Sequence, residues 1–108
     1  MFKVFLFLVI FLGNIFALDN PPGVDCIILE DENSIICKYT HKRLNHDINV
    51  TFNWVEPDGT ITRKRELNIP AGHGSVYDYR YIRGRTHGVW TMQVLDGDKK
   101  YKTNFTLK

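Results

Sequence analysis

A chain of 108 residues, 44% of them hydrophobic and with a formal net charge of +2, holds one domain at most. So small a positive balance does not predict nucleic-acid binding.

Lys3 is followed by an unbroken apolar run, Val4 to Leu12, which Gly13 and Asn14 end; Ala17 then offers a small residue for cleavage. This is the order of regions in a secretory signal peptide, and the run is shorter than the roughly 20 residues of a membrane-spanning helix. The expected organisation is a signal peptide over 1–17, an extended lead-in over 18–23 stiffened by Pro21 and Pro22, and one folded domain over 24–108. Loss of Lys3 with the signal brings the formal charge from +2 to about +1. No second hydrophobic segment follows, so the mature product is expected to be secreted or periplasmic, without a membrane span.

Val24 to Leu29 and Ser34 to Thr40 are β-rich runs joined by Glu30-Asp31-Glu32-Asn33, a four-residue turn in which Asn33 can take a left-handed conformation. In this register Cys26 faces Cys37 and Ile28 faces Ile35. The two cysteines then share a closely spaced pair. A disulfide is the rule for two cysteines in an exported domain, with two buried free thiols as the alternative. Ile48 to Val55 alternates, with Ile48, Val50, Phe52 and Trp54 on one face and Asn49, Thr51 and Asn53 on the other. Glu56-Pro57-Asp58-Gly59 is a turn. Ile61 to Ile69 follows, and its Arg63-Lys64-Arg65 suits a sheet edge, where charge deters edge-to-edge association. Pro70 to Gly74 is a loop, and Ser75 to Arg83 is a strand. Gly88 to Leu107 is a hairpin: Trp90, Met92 and Val94 alternate with Thr91 and Gln93, and Tyr101, Thr103, Phe105 and Leu107 alternate with polar partners around Asp96-Gly97-Asp98.

Seven strands with short connections and no helix after the signal predict a seven-stranded antiparallel β-sandwich. Strands one, two and five in one sheet, and four, three, six and seven in the other, satisfy every hairpin. The expected core is Cys26, Ile28, Ile35, Val50, Phe52, Trp54, Trp90, Met92, Val94 and Phe105.

Trp54 with the Pro57-Asp58-Gly59 hairpin, and Gly88-Val89-Trp90-Thr91-Met92-Gln93-Val94 with Phe105-Thr106-Leu107, give the domain its likeness. It resembles an immunoglobulin-like or fibronectin-type-III-like sandwich of the small exported bacterial kind. The resemblance implies a module for binding or assembly and supplies no catalytic residues. One departure is that antibody-type domains bridge opposite sheets, whereas Cys26 and Cys37 would staple one hairpin.

No catalytic or cofactor-binding set stands out, and the chain reads as a non-enzyme without cofactor. His41, His46, His73 and His87 lie in or beside connections without metal-ligand spacing, and solvated loop histidines are the expected reading. A small periplasmic metal carrier or enzyme using them is the rival class. A secreted inhibitor presenting Pro70 to Gly74 is a third. Arg63, Lys64, Arg65, Arg80, Arg83 and Arg85 offer a basic surface for an unknown protein or acidic surface ligand, against the plainer reading of edge protection. Tyr77, Tyr79 and Tyr81 share one face; such a stripe is expected in the core, against the alternative of adaptable contact area on an exposed face. Asn49-Val50-Thr51 and Asn104-Phe105-Thr106 are glycosylation sequons on outward faces, used only in a eukaryotic secretory route.

Overall fold

The structure, a computed structural model, describes residues 22–108. The expected signal peptide over 1–17 and most of the lead-in lie outside the described residues. Seven strands form among the described residues: β1 (Gly23–Leu29), β2 (Ser34–Thr40), β3 (Ile48–Val55), β4 (Ile61–Ile69), β5 (Ser75–Tyr81), β6 (Gly88–Asp96) and β7 (Lys99–Leu107). All pairings are antiparallel. They make a three-stranded sheet in the order β1-β2-β5 and a four-stranded sheet in the order β4-β3-β6-β7. This is the division that the hairpins predict, in a β-sandwich-like arrangement.

Local chemistry sets the register. Asn33 takes φ 53° and ψ 40°, and its N–H donates to the Glu30 carbonyl at 3.1 Å, closing the β1–β2 turn. Cys26 therefore pairs with Cys37 and Ile28 with Ile35, and the two cysteines are joined in a disulfide. Asn33 also ends β5 earlier than the sequence suggests. The Ile82 N–H donates to the Asn33 carbonyl at 3.0 Å and the Arg83 N–H to Asn33 Oδ1 at 2.8 Å. The chain is gathered onto this one residue, so β5 stops at Tyr81 rather than Arg83.

The inner faces bury one core, in which Phe105 stands between the two tryptophans. Its ring meets Trp54 edge-on at 6.1 Å and stacks on Trp90 at 6.0 Å. Both arrangements are favoured by the aromatic quadrupole. Ile35, Val50, Phe52, Met92 and Val94 are buried around them as expected, joined by Val24, Cys37, Tyr39, Ile69 and Leu107. Cys26 and Ile28 are only partly buried, because β1 is the outermost strand of its sheet. Gly88 carries φ 130°, and a Cβ there would lie 2.9 Å from Cγ of Pro57. Nearby, the Thr86 hydroxyl donates to Glu56 Oε1 at 3.3 Å, and Trp90 Nε1 donates to the Thr86 carbonyl at 2.8 Å. The β3–β4 turn is thus seated on the entry to β6.

Tyr39 is fully buried, and its hydroxyl donates to Asp96 Oδ2 at 2.7 Å. Burial, followed by the Asp96 carboxylate, pushes the phenol well above its ordinary value.

Two outcomes follow from these contacts. Replacing both cysteines by alanine should lower the urea-derived unfolding free energy by about 2–3 kcal/mol, the loop-closure term for so short a ring. The second concerns pH. Folded and unfolded chains both hold the Tyr39 proton below its ordinary value of 10.0. Above that value only the unfolded chain releases it, so stability falls as pH rises. Urea midpoints measured from about pH 9 to about pH 11 should decline, and Tyr39→Phe should flatten that decline.

Candidate binding surface

The two sheets approach at one side through β1 and β7 and at the other through β4 and β5. The β4–β5 side is bridged by side chains. Trp54 on β3 is in phase with the core, so its indole N–H needs an acceptor inside the sandwich. Asp78 on β5 supplies it: Nε1 donates to Oδ2 at 2.8 Å. Asp78 is 3% exposed, and a carboxylate so buried must be paired. Arg65 Nη1 donates to its Oδ1 at 3.0 Å, and Arg63 Nε lies 3.9 Å from Oδ2.

Arg63 and Arg65 reach Asp78 because strand pairing places them opposite Trp54 and Phe52, hence on the inner side of the edge strand β4. Arg80 also points inward. Its guanidinium lies over the Trp54 ring at 5.5 Å, and Nη1 donates to Thr62 Oγ1 at 3.1 Å. Its Nε is buried without a partner. Burial, then the positive charges of Arg85 and Arg63, lower the affinity of Arg80 for its proton. The structure therefore brings Arg63, Arg65, Arg80 and Arg85 into one basic cluster. Two of the four also cover the free edge of β5: Arg63 Nη1 donates to the Tyr79 carbonyl at 3.3 Å, and Arg85 Nε to the Tyr81 carbonyl at 3.1 Å. Such contacts occupy groups that would otherwise template another strand. Lys64 and Arg83 are exposed beyond this cluster.

With Asp78 and Arg80 inside, alternation turns the tyrosines outward. The expectation of a core stripe is overturned: Tyr77, Tyr79 and Tyr81 are 56%, 54% and 55% exposed. Cross-strand register sets them in three rows on the outer face of the three-stranded sheet. These are Asp25-Lys38-Tyr77, Ile27-Ile36-Tyr79 and Leu29-Ser34-Tyr81. Ile27 is 54% exposed. Tyr79 and Tyr81 meet edge to face at 6.1 Å, and Lys38 Nζ sits 5.7 Å from the centre of the Tyr77 ring.

The remaining sequence candidates lie elsewhere. His46, His73 and His87 are exposed. His41, expected to be solvated, is buried: its ring stacks on Tyr39 at 5.8 Å, and Nε2 has no hydrogen-bond partner among the described residues. Among the described residues no three His, Cys, Asp or Glu side chains converge as metal ligands would. The Pro70–Gly74 loop is fastened to the 41–47 connection. The Ala71 N–H donates to Asp47 Oδ1 at 2.8 Å, the Gly72 N–H to the Leu44 carbonyl at 2.8 Å, and the His41 N–H to the Gly74 carbonyl at 2.9 Å. Asn49 and Asn104 are both exposed on the outer face of the four-stranded sheet. Their Oδ1 atoms accept from Asn68 Nδ2 at 3.0 Å and Thr91 Oγ1 at 2.9 Å.

Scanning protein-family models finds no match to this chain, and a search of curated proteins finds none. No helix among the described residues is long and apolar enough to cross a membrane.

The Asp78 cluster carries its own test. Asp78→Ala leaves the indole N–H and two arginines without their acceptor. It should lower the unfolding free energy by about 2–4 kcal/mol, between one orphaned buried donor and one broken buried ion pair. Asp78→Asn keeps an acceptor for the indole and should cost less.

Proposed function

We propose that this chain is an exported, non-catalytic module of the immunoglobulin-like, fibronectin-type-III-like kind. It binds or assembles with another protein through the outer face of its three-stranded sheet. The observation that carries the reading is the contiguous exposure of Ile27, Tyr77, Tyr79 and Tyr81 on that face. Tyrosine supplies large contact area with few rotamers to freeze and is enriched where protein surfaces meet. The strand order supports the module type, because the fourth strand pairs with the third beside strands six and seven, leaving one, two and five as the second sheet. The disulfide supports an oxidising compartment. Arg63 and Arg85 line the β5 edge of the docking face, with the exposed Arg83 beside them, and favour a partner that presents carboxylates.

Affinity capture with the exported protein as bait tests this reading. A partner held by the wild type should be weakened about ten-fold or more by Tyr79→Ser, the loss typical of an interface anchor. It should be unaffected by Lys102→Ser on the opposite sheet. Capture that survives Tyr79→Ser and Ile27→Ser together, or that depends on Lys102, would overturn it.

A further inference from the structure

The tyrosine face is complementary to itself, and we infer that its occupant is a second copy of this chain, packed sheet to sheet about a two-fold axis that runs along β2. The inference rests on the reading of this face as a docking surface. Its three rows are Asp25-Lys38-Tyr77, Ile27-Ile36-Tyr79 and Leu29-Ser34-Tyr81, ordered from β1 through β2 to β5. A two-fold along β2 lays β1 of each copy over β5 of the other and keeps each row opposite itself. Ile27 then covers Tyr79 of the second copy, Ile36 meets its own counterpart on the axis, and Leu29 covers Tyr81. The apolar row lies at the centre of the contact.

Charge completes the match at both ends. At one end, Lys38 already leans over the Tyr77 ring. Lys38 meets its own counterpart across the axis, and the Asp25 carboxylates, one from each copy, are laid over the Tyr77 rings on either side of that pair and offset its charge. At the other end, the β1–β2 turn presents Glu30, Asp31 and Glu32, all exposed and none in an ion pair among the described residues. Arg83 and Arg85 leave β5 at that end, Arg83 fastened through its N–H to Asn33 Oδ1 and Arg85 through its N–H to the Ile82 carbonyl. The two-fold brings the acidic turn of each copy over Arg83 and Arg85 of the other. The alternative in-plane axis, across the strands, would set Asp25 over Leu29 and move the acidic turn away from these arginines. An isologous contact of this kind doubles each pairing by symmetry.

Size sets the strength. Three strands of seven residues give a footprint of about 14 by 23 Å from ordinary strand spacing and rise. This belongs to the small, reversible class of interface, so the dimer is expected to dissociate on dilution.

Sedimentation equilibrium of the exported, oxidised protein from about 10 μM to about 1 mM should show a monomer–dimer equilibrium. Ile27→Lys and Tyr79→Glu, both at exposed positions, should each leave only monomer. Arg83→Glu and Asp31→Lys should each weaken self-association about ten-fold. Mixing these two variants should restore a heterodimer near wild-type strength, because it contains one native and one exchanged charge contact. A wild type that stays monomeric to about 1 mM, or a dimer indifferent to Ile27→Lys and Tyr79→Glu, would overturn the inference. So would a mixture no tighter than its components. A monomeric protein whose captured partner still depends on Tyr79 would refute self-pairing alone and leave the docking face in place.

Discussion

The Asp78 carboxylate is the constraint on which the rest of this domain turns. It takes the indole N–H of Trp54 and the guanidinium of Arg65 at hydrogen-bond distance. It therefore ties β5 of one sheet to β3 and β4 of the other. A charge buried this deeply is tolerated only with such partners. The arrangement is demanding in direction as well as energy, since a carboxylate that must point inward sets the phase of the whole strand. Tyr77 and Tyr79, its two neighbours, must then face solvent. The exposed tyrosine face is in this sense the reverse side of a core interaction.

Much of the architecture was legible in the residues because period-two alternation is a local property. Val50, Phe52 and Trp54, then Trp90, Met92 and Val94, lie buried where their alternation places them, and the Cys26–Cys37 pairing follows from the length of one turn. The phase of β5 was not legible in the same way. By local hydrophobicity three tyrosines outrank Asp78 and Arg80, so a core stripe looks natural. What reverses it lies far along the chain, in Trp54 and Arg65, whose unmet hydrogen bonds give an inward carboxylate its partners. A usable signal was nonetheless present. Arg63 and Arg65 share the phase of Leu67 and Ile69, and basic side chains that point under a sheet call for a carboxylate opposite. Asp78 is the one acidic residue on the adjoining strand. The burial of His41 depends on Tyr39 and the Gly74 carbonyl, contacts that no local pattern announces.

The two outer faces differ in chemistry. The four-stranded sheet shows solvent Asn49, Lys64, Glu66, Asn68, Lys102 and Asn104, a polar surface that water satisfies. The three-stranded sheet shows isoleucine and tyrosine, with charge confined to its ends. At the β4–β5 side, arginines hold the carbonyls of Tyr79 and Tyr81, so this edge is closed to strand addition while its face stays open. What this side of the domain leaves open to solvent is therefore side chains, which can discriminate, instead of backbone, which cannot.

The position of Phe105 has a bearing on when the domain can form. The wedge between Trp54 and Trp90 comes from β7, and β7 is also the strand that lies against β1 across the sandwich. Until that strand is available, the first lacks its main neighbour in the opposite sheet and the two tryptophans enclose a gap. A chain emerging from a ribosome would therefore hold hairpins but no completed core until residue 107 has cleared it. Such late closure concentrates core formation into a single step that waits for β7.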